Sequence, residues 1–369
     1  MSKMFEVYNE SKVLVTGHTG FKGSWLVTWL TSLGAVVAGL SDKIPSKPSN
    51  YKASGVDSIN FDYKIDIRNY KDVEKAVKEF QPDFVFHLAA QALVRDSYNN
   101  PLETLETNAL GSANILESLR VLDKKVVIVM VTSDKSYDNV EWAWGYRETD
   151  QLGGKDPYSA SKGMAELAIK SYVKSFFNNP DSQVRIGVAR AGNVIGGGDW
   201  AKDRIIPDCI RSWSEGSVVD IRSPNSTRPW QHVLEPLSGY LALAVNLSLS
   251  TNNHGEAYNF GPSSTQNNSV RELIDEMAKY WDKIKWRDVS KHDKYLHEAG
   301  LLKLNCDKAL FDLEWKSTLQ FEETIKMTVE WYKEYYEDQT ASMSNFTLCQ
   351  INKYIELAKY RKVPWACDD

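Results

Sequence analysis

The first chemical signal lies in Tyr158-Ser159-Ala160-Ser161-Lys162, where a phenol and an ammonium stand four residues apart. That spacing puts both on one face of a helix, a turn from each other. A phenol with a pKa of about 10 is a poor base at neutral pH, and an adjacent cation favours its phenolate. Such a pair can take the proton of a hydroxyl while hydride leaves the carbinol carbon for a nicotinamide. Tyr-x-x-x-Lys also arises by chance and by helix-surface packing, so its surroundings must decide. A second group closes an apolar run, Val131-Thr132-Ser133-Asp134-Lys135. Ser133 suits a hydrogen bond to the same hydroxyl, and Asp134 and Lys135 add an acid and an amine beside the reacting carbons. Read by itself, that segment is a turn cap with a solvated ion pair.

A third feature tips the balance. Gly17-His18-Thr19-Gly20-Phe21-Lys22-Gly23-Ser24 follows the first apolar run and opens a helix. Its glycines allow a tight turn and close backbone approach to a pyrophosphate, which the helix N-terminus then meets with free N–H groups. The order Lys22-Gly23-Ser24 is wrong for a Walker A loop. Three glycines can also merely punctuate a turn, but the position after the first strand favours a dinucleotide site, with Gly17, Thr19, Gly20, Phe21, Lys22 and Gly23 at the cofactor. Asp42, ending the second strand, is a candidate for the adenosine ribose and equally a loop carboxylate or cap. Asp66, with Ile67 beside it, is placed to face the adenine amino group. Leu88-Ala89-Ala90-Gln91 supplies small residues where the fourth strand passes the cofactor.

These groups need a scaffold, and the first half of the chain supplies one. Apolar runs at 12–17, 35–40, 84–88, 126–131 and 185–189 read as strands covered on both faces. Helical periodicity fills 21–33, 71–80, 101–122 and 158–178 between them. This alternation predicts an α/β fold, a Rossmann-type doubly wound parallel sheet with right-handed crossovers over residues 1–194. From 195 to 335 Gly, Pro, Trp and Asn become frequent, predicting a smaller C-terminal substrate-binding lobe, some of whose segments return to the first domain. Residues 336–369 read as a helix and a loose end.

Composition narrows the function classes. The 369 residues hold 44 Lys and Arg against 49 Asp and Glu, a net charge of −5, with 42% apolar and 25% charged residues. That is ordinary globular composition. No basic block favours nucleic acid, and no run reaches the roughly 18 to 20 apolar residues of a membrane span. The opening residues lack a signal peptide's apolar core. Cys209, Cys306, Cys349 and Cys367 form no C-x-x-C and read as free thiols of a reducing, cytoplasmic setting. The six histidines form no zinc pattern. His292 and His297, in a Lys-rich segment, read as solvated surface, and no metal is expected.

With these residues in view, the chain resembles the extended short-chain dehydrogenase/reductases, the NAD-dependent epimerase/dehydratase family, and within it the CDP-glucose 4,6-dehydratases. The resemblance rests on the glycine turn through Trp25-Leu26, Thr132-Ser133-Asp134-Lys135, Trp144-Gly145-Tyr146-Arg147-Glu148, Asp156-Pro157-Tyr158-Ser159, Arg190–Arg204 and Arg228–Tyr240. It implies an internal redox dehydration of CDP-glucose. Tyr158, with Lys162 and Ser133, would deprotonate O4 while NAD takes hydride from C4. The resulting ketone acidifies C5, Asp134 protonates the departing O6, and hydride returns to C6. Lys135 stands where dTDP- and GDP-sugar dehydratases usually carry Glu; it is the C5 base if its pKa is lowered, and otherwise steadies the enolate. Asn193, Arg204 and Arg228 are implied near the substrate pyrophosphate, with Trp230 and His232 alongside. Trp230 fits core packing equally well, and His232 a satisfied polar residue.

Two further features depart from the family pattern: Glu314 replaces the usual Gly after Leu313, and residues 6–10 and the stretch beyond 335 match poorly. A 4-epimerase of the same fold would need no acid at O6, so Asp134 separates the two. A non-catalytic dinucleotide sensor would be expected to lack Tyr158 or Lys162. Helices 101–122 and 158–178 carry apolar residues on more than one face, such as Met164 and Leu167, and predict a homodimer.

Overall fold

The computed structural model describes residues 3–179, 181–290 and 301–367; His292 and His297 lie outside the described residues. Seven strands form one parallel sheet: β1 (Lys12–Thr16), β2 (Val36–Ser41), β3 (Phe61–Lys64), β4 (Phe84–His87), β5 (Val126–Val131), β6 (Val184–Ala191) and β7 (Ala257–Phe260). Their spatial order is β3-β2-β1-β4-β5-β6-β7. The order reverses between β1 and β4, so a crevice opens beyond their carboxyl ends, where such sheets bind ligands. The register sets Thr16 beside both Leu40 and His87, and Val131 beside Ala189. The loops that follow these strands therefore emerge on one edge. This is the doubly wound α/β fold expected from the apolar runs.

Alternate residues of each strand serve opposite faces. Val13, Val15, Phe84, Phe86, Val127 and Val129 enter one core, whereas Leu14, Val85, Ile128 and Met130 enter the other. With both faces buried, the strands have no polar side to show, which is why they read as unbroken apolar runs. The second core is closed by α2 (Tyr70–Phe80), α4 (Gly111–Leu119) and α5 (Pro157–Tyr172), through Val73, Val77, Leu116 and Ile169. The first is closed by α1 (Phe21–Ser32), α7 (Leu234–Leu249), α8 (Phe321–Glu337) and α9 (Met343–Tyr360).

The helix expected over 101–122 is broken by geometry that periodicity cannot show. α3 (Pro101–Leu105) passes through a π turn, Glu106–Leu110, before α4. The helix expected over 158–178 likewise ends in a π turn, Val173–Phe177. Beyond β6, α6 (Ile205–Ser214) and three short ladders make up much of the second part of the chain. These pair 194–195 with 231–232, 227–228 with 268–269, and 219–221 with 286–288. The long α7 and strand β7 return to the main sheet.

The expectation of a loose end after 336 is corrected. α9 and the turn Pro364–Ala366 that follows it pack inward, leaving Trp365 1% exposed. Trp365 stacks on Phe5 at 5.5 Å and on Tyr354 at 5.6 Å, and meets Trp29 of α1 edge-on. Phe5, just before one poorly matching stretch, and Trp365, within the other, thus cover each other and Trp29 of α1. Among the described residues no helix is long and apolar enough to cross a membrane, and no group of three or more His, Cys, Asp or Glu is placed to hold a metal.

Candidate active site

The glycine turn joins β1 to α1 at the crevice. Gly17 has φ +74°, and a Cβ there would fall 2.7 Å from Ala89 N, so only glycine lets the turn pass the end of β4. Thr16 Oγ1 lies 2.8 Å from His87 Nδ1 and accepts from Ala89 N, locking Leu88, Ala89 and Ala90 beside the turn. The N-cap Gly20 makes no side-chain cap bond. The first N–H groups of α1 therefore point outward without a helical partner, as a phosphate requires. Thr19 Oγ1 donates to Lys43 O at 2.7 Å, tying the turn to the end of β2. There Asp42 pairs with Lys43 at 3.7 Å and is half-exposed.

The remaining expected cofactor residues are placed as follows. Asp66 is gripped by Arg68, whose Nε and Nη2 donate to it, and this holds its carboxyl below the usual range. Ile67 turns its side chain into the core under Gly111, while its carbonyl accepts from Asn114. Gln91 directs its amide to Thr104 and Leu93, so its side chain braces α3. His18, which no motif singles out, is fully buried over Gly39, with Nε2 3.2 Å from Asp62.

The catalytic candidates converge on the same edge. Asp156 caps α5, accepting from Ser159 N at 3.0 Å, and Pro157 opens the helix, which places Tyr158 and Lys162 in its first two turns. Ser133 caps the turn Asp134–Ser136, accepting from Lys135 N at 3.2 Å, and its hydroxyl donates to Asp134 Oδ1 at 3.1 Å. Burial raises the Tyr158 phenol above its ordinary value, against the pull of Ser133 and Arg204. The largest downward influences are thus these two groups, not the Lys162 expected from spacing. Burial lowers Lys162 to about 8, opposed by Glu166. Lys22 is lowered to about 8 by burial, then by Arg204 and Lys162, against Asp134 and Asp199. Lys22 is thus near enough to feel the charges of Lys162 and Arg204 on one side and of Asp134 and Asp199 on the other. These cations suit an anionic ligand, and together with the uncapped helix the residues fit a dinucleotide.

Behind these groups stands a buried network that sequence reasoning missed. Arg190 donates from Nε and Nη2 to the two oxygens of Glu166, at 2.8 and 2.9 Å, with both side chains 4% exposed. Its Nη1 donates to Tyr137 Oη at 2.7 Å, and Thr132 donates to Glu166 at 2.5 Å. β6, α5 and the Ser133–Lys135 turn are thereby clamped together. Asn108, inside the π turn, donates to Ser161 Oγ and to Gln91 O, joining α5 to the end of β4. An asparagine amid helical periodicity is the one signal that could have pointed to it.

On the substrate side, a narrow cavity is lined by Asp134, Gly192, Asn193, Gln231, Gly261 and Leu304, among others. A Cβ on Gly192 would overlap Asp134 Oδ2, so glycine makes room for the carboxylate. Asn193 holds φ +53°, a left-handed conformation Asn tolerates, with Nδ2 3.5 Å from the same oxygen. Arg204 pairs with Asp199 at 2.9 Å, and its charge is felt at Tyr158. Arg228 donates to Thr227 O on a short ladder. Trp230 and His232, expected alongside the substrate, are placed in protein surroundings. Trp230 is 7% exposed within the main core. His232 is fully enclosed against Trp25 at 5.8 Å, and burial pushes it down to about 3.

Comparison with known proteins follows the same lines. Residues 14–328 match the family described as GDP-mannose 4,6 dehydratase. A Salmonella typhimurium protein named CDP-glucose 4,6-dehydratase is 46% identical over 326 residues, 87% of this chain and 90% of that one. Among solved structures, the epimerase Mth375 of Methanothermobacter thermautotrophicus superposes with TM-score 0.76 at 25% identity, covering 91% of this chain and 96% of its own. DesIV of Streptomyces venezuelae, a dTDP-glucose 4,6-dehydratase solved with NAD and TYD bound, shares the fold with TM-score 0.70 at 22% identity over 88% and 97% of the two chains.

Proposed function

The chain belongs to the GDP-mannose 4,6-dehydratase family, and on that premise we propose that it dehydrates CDP-D-glucose to CDP-4-keto-6-deoxy-D-glucose for deoxysugar synthesis. NAD, when bound, would supply the hydride acceptor for C4 and the hydride donor for C6. Gly17, Thr19, Gly20, Phe21, Lys22 and Gly23 would hold its pyrophosphate, and Asp42, Asp66, Ile67, Leu88, Ala89, Ala90 and Gln91 would line its path. Ser133 orients O4, and Tyr158 takes the O4 proton with Lys162 beside it. Loss of the C5 proton leaves an electron pair that forms the C5–C6 double bond as the C6–O6 bond breaks. Asp134 gives its proton to O6, and water departs. Lys135 serves at C5, which regains a proton once hydride has reached C6, and hydrogen exchange at C5 by a Lys135→Met protein separates base from enolate support. Asn193, Arg204 and Arg228 hold the sugar nucleotide, with Trp230 and His232 behind them.

Asp134 carries this reading: a carboxyl 3% exposed, hydrogen-bonded by Ser133, on the wall of a cavity, where a 4-epimerase needs no acid. The test offers CDP-, UDP-, dTDP- and GDP-glucose separately and weighs the product. A CDP-sugar lighter by one water is expected; a product isomeric with its substrate overturns the reading.

The same reading extends to assembly. Leu102, Leu110, Met164 and Leu167 are exposed on α3, its π turn and α5, which pack on each other, and support a homodimer through helices 101–122 and 158–178. Light scattering at micromolar concentration should give twice the chain mass of 41.9 kDa. Four free cysteines favour a cytoplasmic location. Residues 1–194 form the cofactor-binding part and residues from 195 supply most of the substrate side.

A further inference from the structure

Gln231 is 1% exposed, yet it lines the cavity that Asp134 faces. It sits on the short strand beside Val194–Ile195, and its backbone N–H donates to Asn193 O at 3.1 Å. Its amide nitrogen donates to two carbonyls, Gly192 O and Phe260 O, each at 2.9 Å. Those two bonds fix which way the amide lies, because the reverse orientation would set its oxygen against two carbonyl oxygens. Oε1 is left buried with no hydrogen-bond partner among the described residues. A buried acceptor without a donor is costly, and a site built around one discriminates for ligands that bring the donor.

The cavity wall indicates which donor. Asp134 and Asn193 line it together with Gln231. In the dehydratase reading, on which this inference rests, Asp134 must be protonated to release O6. A protonated Asp134 aims its own hydrogen at an O6 lone pair, so the O6 hydrogen needs an acceptor elsewhere. We propose that Gln231 Oε1 accepts the hydrogen bond of the hexose 6-hydroxyl, orienting O6 toward Asp134 and selecting sugars hydroxylated at C6. An amide oxygen accepts without competing for the acidic proton. When the C6–O6 bond breaks, O6 gains the Asp134 proton and leaves as water, its original hydrogen still directed at Gln231.

The test measures binding in NAD-loaded Tyr158→Phe protein, in which C4 oxidation is blocked, by calorimetry with CDP-glucose and CDP-6-deoxyglucose. The hydroxylated ligand should bind about tenfold more tightly. Adding Gln231→Met should narrow that gap to what the Asp134 contact with O6 alone supplies, chiefly by weakening CDP-glucose. A gap unchanged in Gln231→Met, including an equal loss for both ligands, overturns the proposal. Should Gln231→Met not fold, CDP-6-deoxy-6-fluoroglucose decides with Gln231 intact, since fluorine replaces the hydroxyl without donating a hydrogen. Fluoro-sugar binding as tight as CDP-glucose overturns it, and binding about tenfold weaker sustains it. The unmutated protein is assayed alongside. If it does not dehydrate CDP-glucose, the dehydratase reading fails; if it does and no gap appears, only the role of Gln231 fails.

Discussion

Removing both partners of the Arg190–Glu166 pair should cost about as much as removing either one alone. Arg190→Met leaves a buried carboxylate with one hydrogen bond, from Thr132. Glu166→Leu leaves a buried guanidinium with Tyr137 Oη and Glu148 O as its acceptors. Each change should destabilise by about 3 kcal/mol or somewhat more, the cost of stranding a buried charge. Combining Arg190→Met with Glu166→Leu leaves no stranded charge, only acceptors such as Glu148 O short of a donor, at about 1 kcal/mol each. Additivity would predict about 6 kcal/mol for the double variant, whereas roughly 3 is expected, a coupling near 3 kcal/mol. Urea unfolding of the three variants measures this directly. A double variant that loses the full sum within about 0.5 kcal/mol would refute the clamp. A kinetic readout accompanies it. Glu166 raises Lys162, so Glu166→Gln should lower the pH at which Lys162 loses its proton, now about 8. The alkaline limb of the rate profile should move to lower pH in that variant, and an unmoved limb would dissociate Glu166 from the chemistry.

Three other outcomes are expected. Gly192→Ala, whose Cβ would overlap Asp134 Oδ2, should slow water loss about 100-fold through displacement of the acid, while C4 oxidation of a 6-deoxy analogue survives; unchanged dehydration would contradict the placement. Burial raises Glu235 to about 7, although it accepts from Thr318 N, Leu319 N and Tyr354 and faces Arg361. Its folded-state pKa exceeds the unfolded value, so its stabilisation is complete below about pH 4.5 and lost as pH rises through 7. Between those limits wild type should lose roughly 3 kcal/mol more than Glu235→Gln, and parallel stability curves would rule this out. Trp365→Ala should cost about 3 to 5 kcal/mol in denaturant, given its burial between Phe5, Trp29 and Tyr354; a loss under about 1 kcal/mol would mean that this end is not part of the core.

The legible features are those set by local pattern. Strands buried on both faces announce themselves as apolar runs, and a glycine turn after the first strand together with Tyr158 and Lys162 needs only spacing to be noticed. Features made by distant contacts stay hidden. Nothing near Gly192 in sequence says that it makes room for Asp134, 58 positions earlier. Arg190 reads as one cation in a strand until Glu166 meets it. Trp230 and His232 resemble ligand residues by motif, but their burial depends on α1 and the core around it. The effect of Lys162 on the phenol follows from helix spacing only while the burial that acts on both groups is ignored.

The aromatic clasp around Trp365 has a consequence for how the protein is made. Trp29 is translated 336 positions before Trp365, an interval on the order of 20 to 70 seconds at ordinary elongation rates. Throughout that time Trp29 lacks the cover of Tyr354 and Trp365, although Phe5 is already available. The emerging chain therefore presents a sticky aromatic patch to its surroundings until α9 and the turn beyond it leave the ribosome. A fragment ending near residue 194 would keep that patch bare, so it should be insoluble when expressed without the rest.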